Sequence, residues 1–263
     1  MQNKILKKFK KTKTIAVFVS NLILLNTLFS CNSQERYFVD ITNRIDPDIV
    51  LVNIGNANRA TIGEMLLTIN RCNPRVIGFD GWFRDKKDSS QDSILINALD
   101  SIQNVVLAYF IDSTNTIIKS NTIFSSHVTD EGLVAVEEIN GLASSIKSIQ
   151  TINNIEHSLF ALKIIKLWEP EFKTSLKTNQ TIPIKYTRML DQFIHFDYSD
   201  LKDVAPETLR NKIILLGFLG PGNEDKHFTP LRLVRPYDTN EPDTYGLVII
   251  ANEIRTILDY EKK

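Results

Sequence analysis

Asp80 is the first residue whose type and position could support chemistry. It directly follows the apolar run Val76–Phe79, and an aspartate at the end of a buried strand is where a phosphohydrolase carries its nucleophile. That chemistry usually needs a second acid two residues later to hold a cation, and Trp82 occupies that position. Asp80 is therefore a candidate for ligand binding, with hydrolysis as the alternative.

A second pair of candidates, Asp225 and His227, lies in a long polar loop near the end of the chain. A carboxylate and an imidazole can ligate a metal, but two such residues in a loop are weak evidence. The alternative is that Asp225 caps backbone amides and shapes the loop. Motifs for dinucleotides, P-loops, zinc proteases and nucleophile elbows are absent from the sequence, so we predict no cofactor, metal or catalytic residue. The remaining histidines are predicted to have surface or packing roles: His127, His157 and His195.

Two apolar runs and the helix between them must position Asp80. Ile49–Ile54 and Val76–Phe79 are typical of strands buried on both faces. Between them, Thr61–Glu64 fits a capping box, and apolar residues follow at helical spacing until Pro74 ends the helix. Two strands joined by one helix lie parallel, with a right-handed crossover. Their polar continuations therefore collect at the carboxyl edge of neighbouring strands, where open α/β sheets bind ligands.

The same alternation continues along the chain. Ser89–Asp92 forms a second capping-box pattern before a helical stripe, and Val105–Ile111 is a third buried strand. Lys212–Gly217 is a further strand, predicted to lie parallel to the first three. The sequence therefore predicts an α/β fold of three layers, with a mostly parallel sheet and helices on both faces.

The middle of the chain, Asp112–Gln150, is less regular. Thr116–Phe124 and Gly132–Glu138 alternate enough to predict strands, which would form an antiparallel excursion. The other predicted elements are a helix from Ile155 to Trp168, short strands at Ile182–Tyr186 and Phe193–Phe196, a helical turn at Pro206–Asn211 and a closing helix at Tyr245–Tyr260.

Loops that leave the carboxyl edge carry the candidate ligand-binding residues. The helix that begins near Thr61 would point its positive end there, Arg59 would add a full charge, and Asp80 and Asp225 would supply acceptors. Such a mixed-charge crevice suits a small polar or zwitterionic ligand. The alternative is that Arg59 and Asp80 pair with each other or with loop backbone. The candidates are Asn56, Asn58, Arg59, Asp80, Asp225 and His227.

The first thirty residues are typical of an export signal. Six lysines accompany no acid, and an apolar run of about 15 residues, Ile15–Phe29, is shorter than the roughly 20 needed to span a bilayer. Leu28-Phe29-Ser30-Cys31 resembles a bacterial lipobox and predicts lipidation of Cys31, with a retained signal anchor or a core helix as alternatives. We therefore expect a signal at 1–30, a tether at 31–47 and one extracytoplasmic domain at 48–260, held on a membrane of the bacterial cell envelope.

The charge balance argues against one class of partner. From Cys31 onward the chain carries 25 basic and 31 acidic side chains, a net charge of −6. A surface of this sign gives no reason to expect nucleic-acid binding. Cys72 is the second of two cysteines and lies on the apolar face of the first predicted helix, where it acts as a small hydrophobe.

A resemblance to a known family rests on strings spread over most of the chain, from Asp48 to Leu258. The most specific pieces are Gly78-Phe79-Asp80, Asp225–Pro230 and Ala251-Asn252. In this order and spacing they resemble the second CHASE class, extracellular sensory domains associated with cyclases and histidine kinases. The resemblance implies a sensory domain outside the cytoplasm.

The chain also departs from that family in particular residues. Asn53 and Asn56 stand where members often have acids, and Ile250 stands where they often have histidine. Members usually continue into several membrane spans and a cytoplasmic output domain, whereas this sequence stops at Lys263. We therefore expect a free-standing sensory or ligand-binding module, non-enzymatic, which acts through a membrane-bound signalling partner. The alternatives are a hydrolase that uses Asp80 and Asp225, and a structural envelope protein.

Overall fold

The apolar runs of the sequence form the centre of one large sheet. The computed structural model describes residues 37–234 and 240–262, and the predicted export signal with Cys31 lies outside them. The strands are β1 (Phe38–Val39), β2 (Ile49–Asn53), β3 (Val76–Phe79), β4 (Val105–Ile111), β5 (Ile117–Ile118), β6 (Asp130–Leu133), β7 (Glu137–Ile139), β8 (Leu142–Lys147), β9 (Ile149–Ile152), β10 (Ile155–Ser158), β11 (Thr181–Pro183), β12 (Lys185–Tyr186), β13 (Ile194–Asp197), β14 (Ile213–Gly217), β15 (Lys226–His227) and β16 (Thr244–Tyr245). The α-helices are α1 (Arg59–Asn70), α2 (Ser89–Asp100), α3 (Thr122–Ser125), α4 (Phe160–Trp168), α5 (Pro206–Leu209) and α6 (Gly246–Glu261), and 3₁₀ turns occupy Leu190–Gln192, Tyr198–Asp203 and Pro230–Leu233.

The main sheet has the strand order β13-β2-β14-β3-β4, and β4 is followed by both β6 and the short β5. Every pair is parallel except β4 with β5. The first two predicted strands are parallel but are not neighbours, because β14 lies between β2 and β3 and pairs with both. The end of β2 therefore meets the ends of two strands from late in the sequence: Asn53 is in register with Gly217 and with Asp197.

Helices cover both faces of this sheet, which confirms the predicted three-layer α/β fold. Alternate residues of β2 point to opposite cores: Val50 packs with the α1 and α2 side, and Leu51 packs with the α4 and α6 side. Both side chains are at most 1% exposed. Burying an aliphatic side chain of this size contributes about 1.5–3 kcal/mol, so two cores on one sheet supply the dominant stabilising term.

The middle of the chain differs from prediction in detail. A separate antiparallel sheet, β11-β8-β7, and a hairpin of β9 with β10 form there. Thr116–Phe124 becomes the short β5 and the start of α3, whereas Gly132–Glu138 is divided between β6 of the main sheet and β7. The antiparallel excursion is confirmed, but the single strand predicted at each place is wrong.

The helix predicted from Ile155 is also wrong at its start. Asn153 and Asn154 both adopt positive φ, 52° and 62°, which makes a tight two-residue turn, and Ile155 to Ser158 then return as β10. Two left-handed residues in succession are what such a hairpin turn requires, and asparagine tolerates this conformation. The helix begins only at Phe160.

Both helices begin earlier than the predicted capping boxes: Asn58 rather than Thr61 caps α1, and Asp88 rather than Ser89 caps α2. The side chain of Asn58 accepts a hydrogen bond from the Thr61 amide at 3.0 Å and begins α1. Asp88 accepts from the amides of Ser90 and Gln91 and begins α2. At both helix starts a short polar side chain accepts hydrogen bonds from free backbone amides, as helix capping requires.

The chain before β2 is tied to the closing helix by buried charge. Asp46, whose side chain is fully buried, accepts from Arg255 of α6 and forms an ion pair with Arg188 at 3.0 Å. It also accepts from the amides of Asp48 and Ile49. These bonds fix where β2 begins. Among the described residues, no helix combines the length and the apolar character needed to cross a membrane.

Candidate functional site

A cleft of about 700 Å³ opens at the carboxyl edge of the main sheet. Its walls come from the turns that follow β2, β3 and β14, as expected where the chain leaves parallel strands. It is lined by Asn53, Ile54, Gly55, Asn56, Asp80, Gly81, Trp82, Phe218, Gly220, Pro221, Gly222, Glu224 and Asp225.

Asn53 holds the edge of this cleft in place. Its side-chain oxygen accepts hydrogen bonds from the amides of Gly55 at 3.0 Å and Leu219 at 2.8 Å. Its side-chain nitrogen donates to Asp197 at 2.7 Å. One amide side chain therefore joins β13, β2 and the turn after β14, which accounts for an asparagine at the end of a buried strand.

Asp80 lies where β3, β14 and α6 converge. Its amide donates to the carbonyl of Leu216 at 2.8 Å, which extends the β14 ladder by one bond. A Cβ at Gly217 would lie 2.8 Å from the side chain of Leu247 and 3.3 Å from the Cβ of Asp80, so a larger residue at the strand end would have to displace the end of the Leu247 side chain. Burial raises the pKa of Asp80 to about 7, and repulsion from Asp225 acts in the same direction.

Asp225 sits at the beginning of α6. Its carbonyl accepts the amide of Gly246 at 2.9 Å, and its carboxylate oxygens lie 3.2 and 3.3 Å from the point where a Cβ of Gly246 would be. Burial raises the pKa of the Asp225 carboxyl, while His227 and a hydrogen bond from the Gly246 amide oppose the rise. The positive end of a sixteen-residue helix thus faces this carboxyl.

A third carboxyl, Glu253, reaches the same region from within α6. It is 3% exposed, and no hydrogen bond or ion pair joins its side chain to any described residue. Burial raises the pKa of Glu253 to about 8, with a further contribution from repulsion by Asp80. The same carboxyl contributes, after burial, to raising the pKa of Tyr186.

The three carboxyls form a coupled group rather than three independent acids. Asp225 acts on Asp80, and Asp80 acts on Glu253, so ionising one makes the next ionisation harder. Near neutral pH this group retains protons that ordinary carboxyls would have lost. It can therefore take up or release protons when a charged ligand enters the cleft.

Two aromatic rings stand beside the acids. Trp82 is 41% exposed, and its ring centroid lies 4.6 Å from that of Phe110 on β4. Phe218 follows β14 directly and also lines the cleft. An acidic cleft with aromatic walls can hold a molecule that has both a polar and an apolar part.

Arg59 is not among the residues that line this cleft, where the sequence predicts it. Its guanidinium pairs with Asp92 at 2.5 Å and donates to the carbonyl of Asp85, and it lies over the rings of Phe83 and Phe124. The side chains of this pair are 7% and 8% exposed. Arg59 and Asp80 do line a neighbouring cleft of about 410 Å³, but the charge of Arg59 is already neutralised by Asp92. The guanidinium in turn helps hold the pKa of Asp92 below its usual value against burial.

The other predicted residues divide between the cleft and its supports. Asn56 lines the cleft and is exposed. Asn58 caps α1 and lines the neighbouring cleft instead. His227 lies on β15, outside the lining residues, and acts on Asp225 through its charge. The cleft thus unites Asn56, Asp80 and Asp225.

The remaining histidines have packing or surface partners. His127 bonds to Asp100 at 2.9 Å, and His195 bonds to the carbonyl of Phe193 from β13. His157 is 5% exposed and bonds to the hydroxyl of Tyr109, but it lies on β10 and does not open a helix as predicted. Cys72 is half-buried and its thiol lies 3.7 Å from the carbonyl of Thr68.

Sequence reasoning missed Glu253, Trp82 and Phe218. The sequence carried only a partial signal for Glu253, an acid among the apolar residues of the predicted closing helix. The structure buries every residue from Leu247 to Leu258, and an acid at such a position calls for an explanation. The neighbouring Asn252, part of a string that carried the family resemblance, bonds to the backbone of Thr187 and Arg188 and so has a structural role.

Comparison with known proteins identifies the family. Searches of curated proteins and of solved structures gave no significant match. The model of the CHASE2 domain matches residues 15–263, nearly the whole chain. CHASE2 domains are sensory modules of the extracellular type. The chain belongs to the CHASE2 domain family.

Proposed function

We propose that this domain is a non-enzymatic sensor that binds a small polar ligand in the cleft between the ends of β2, β3 and β14. The observation that carries the proposal is the Asp80 carboxyl, which lines the cleft and has no hydrogen bond or ion pair with any described residue. A desolvated carboxyl without a partner destabilises a fold, whereas a ligand that satisfies it recovers that free energy. Membership of a sensory family supports the same conclusion.

The structure offers a physical link from the cleft to the rest of the domain. Helix α6 begins against Asp225, and its later turns hold Asp46 through Arg255 and the Thr174 hydroxyl through Glu261. A ligand that changes the charge beside the first turn therefore acts on an element that anchors the chain before β2. We propose that a membrane-bound signalling partner reads this change.

We also propose that the domain faces the outside of the cytoplasm and is held there by lipidated Cys31. The basic residues and the short apolar run before Cys31 support export, and the family is of the extracellular type. One acyl chain binds a membrane marginally, whereas several anchor it stably. The boundaries 1–30, 31–47 and 48–260 remain the proposed division of the chain.

Hydrolysis is the second candidate, favoured by one observation. Asp80 and Asp225 share a cleft and a raised pKa, and a carboxyl that retains its proton near neutral pH can act as a general acid. Turnover of phosphoester or glycoside substrates that is lost in Asp80→Asn would establish this activity and would contradict the non-enzymatic proposal.

A thermal-shift experiment tests ligand binding at the cleft. Purified protein is screened against a library of small anionic, neutral and cationic metabolites, since a ligand at 100 times its Kd stabilises the fold by about 2.7 kcal/mol. A ligand of the cleft should lose its effect in Asp80→Asn and Asp225→Asn. Asp203, an exposed aspartate on the Tyr198–Asp203 turn, provides the matched control Asp203→Asn. Shifts that persist in both cleft variants would place the ligand elsewhere.

A further inference from the structure

The charged residues that line the cleft all have the same sign. They are Asp80, Glu224 and Asp225, and no lysine, arginine or histidine is among the described lining residues. Two neighbouring bases have other partners: Arg59 pairs with Asp92, and Lys226 lies over the ring of Tyr245 at 4.9 Å. His227 acts on Asp225 from outside the lining residues. An anionic ligand would therefore meet three acids and no basic side chain among the described lining residues, which like-charge repulsion disfavours.

Glu253 supplies an independent observation. Glu253 is 3% exposed, has no partner among the described residues and lies close enough to Asp80 for the two carboxyls to repel. The charged or titratable groups that act on the pair are Asp225 from the loop before β15, His227 through Asp225, and Tyr186 beside Glu253. Two neighbouring acids without a partner form an arrangement that a positive charge in the cleft would stabilise.

The aromatic rings restrict the kind of cation. Trp82 and Phe218 line the cleft, and aromatic rings attract ammonium groups and pack against alkyl chains. A volume of about 700 Å³ is far larger than one metal ion needs. Among the described residues, no group of three or more metal-ligating side chains is arranged to hold a metal. The ligand should therefore carry its charge on an organic body.

We propose that the cleft binds a small organic ammonium ion, which seats its charge against Asp80 and Asp225 and its body against Trp82 and Phe218. This inference rests on the proposed function, because it names the chemical class of the ligand for the same site. Binding exchanges one positive charge for another: the ammonium enters as an ion, and a proton leaves the carboxyl group for the buffer. The carboxyl O–H bond breaks, the proton binds to the buffer base, and no other covalent bond changes.

The exchange predicts a pH dependence with a definite sign. The pKa of Asp80 is about 7 in the empty cleft, so its ionised fraction rises about tenfold between pH 6 and pH 8. A cation prefers the ionised form, so its affinity should rise with pH by up to about tenfold across this range. Up to one proton should be released for each cation bound at pH 6, and fewer at pH 8.

Isothermal titration calorimetry with the full chain tests the inference. The probes are choline and phenethylammonium, each compared with a neutral analogue of similar shape, 3,3-dimethylbutan-1-ol and 3-phenylpropan-1-ol. Titrations at pH 6 and pH 8, in two buffers of different ionisation enthalpy, give the affinity and the number of protons released. Both cations should bind at least about tenfold more tightly than their neutral analogues.

Variants separate the site from general charge effects. Asp80→Asn should reduce proton release and flatten the pH dependence, and Trp82→Ala should weaken binding several-fold without changing proton release. Asp203→Asn should behave as wild type. A neutral analogue that binds as tightly as its cation, or a cation affinity indifferent to both pH and Asp80→Asn, overturns the inference.

The outcomes also distinguish this inference from the proposed function. A neutral or anionic metabolite whose thermal shift depends on Asp80, together with no Asp80-dependent binding by either cation, overturns the ammonium class and leaves the sensory site intact. The absence of an Asp80-dependent shift from the whole library and from both cations overturns the two proposals together.

Discussion

Replacing Glu253 by glutamine should stabilise the protein at alkaline pH. The native pKa of Glu253 is about 8, whereas its ordinary value is 4.5. The folded state therefore holds this proton more tightly than the unfolded state does. The stability that this contributes is fully present below pH 4.5 and is lost as the pH rises to about 8. Above pH 8 the native fold must contain a buried, unpaired carboxylate, which glutamine avoids.

The magnitude follows from the difference in pKa. A difference of about 3.5, at 1.36 kcal/mol for each pKa unit, gives about 5 kcal/mol as the upper limit at pH 8. Water penetration and relaxation reduce the penalty of a buried charge in real proteins, so we expect a gain of about 2–5 kcal/mol. Near pH 4, where both states hold the proton, Glu253→Gln and wild type should have nearly equal stability. Asp80 adds a similar loss in wild type between about pH 4 and pH 7.

Urea denaturation at one-unit intervals from pH 4 to pH 8 measures this effect. Wild type should lose unfolding free energy as the pH rises, and Glu253→Gln should lose less, so the two curves diverge toward pH 8. Glu64, an exposed glutamate on α1, gives the matched control Glu64→Gln, which should follow wild type within about 0.5 kcal/mol. Parallel curves for wild type and Glu253→Gln, or a less stable variant at pH 8, would refute the assignment of Glu253 as a buried, unpaired acid.

Three further predictions concern the core, a buried ion pair and the anchor. Arg59→Ala should destabilise the fold by about 3–5 kcal/mol in urea denaturation, because it leaves buried Asp92 unpaired, and a cost below about 1 kcal/mol would contradict this. Ile77→Ala, at a fully buried position of β3, should cost about 2–5 kcal/mol, and Lys166→Ala, at an exposed position, under about 0.5 kcal/mol; equal effects would refute the burial. Cys31→Ala should abolish labelling by a fatty-acid probe, and an unlabelled wild type that keeps residues 1–30 would favour a retained signal anchor.

Hydrophobic periodicity predicted the central elements because burial on both faces leaves a simple pattern. Val76–Phe79 and Val105–Ile111 are strands with the predicted bounds, and the closing helix differs by one residue at each end. The pattern failed at Ile155, where helical spacing of apolar residues coincided with a strand. Two left-handed asparagines decided that segment, and periodicity alone does not detect such a turn.

The sequence also predicted the edge at which the cleft opens, since parallel strands bring their carboxyl ends together. It predicted that Asp80 and Asp225 lie at the same edge, although 145 positions separate them in the chain. It predicted Arg59 in the same cleft, whereas the structure pairs Arg59 with Asp92, because sequence alone does not distinguish a free charge from a paired one. Asp92, the partner that neutralises Arg59, lies on the next helix and had been assigned to a capping box.

Tertiary structure alone decided the electrostatic character of the site. The insertion of β14 between β2 and β3 brings Gly217 beside Asp80, and α6 then packs its first turn against Asp225. Because Arg59 does not line the cleft, the charged residues among its described lining are acidic rather than of mixed sign. Glu253 adds a further acid close to Asp80. Desolvation and repulsion depend on distances between residues far apart in the chain, so no local pattern encodes the raised pKa values of these carboxyls.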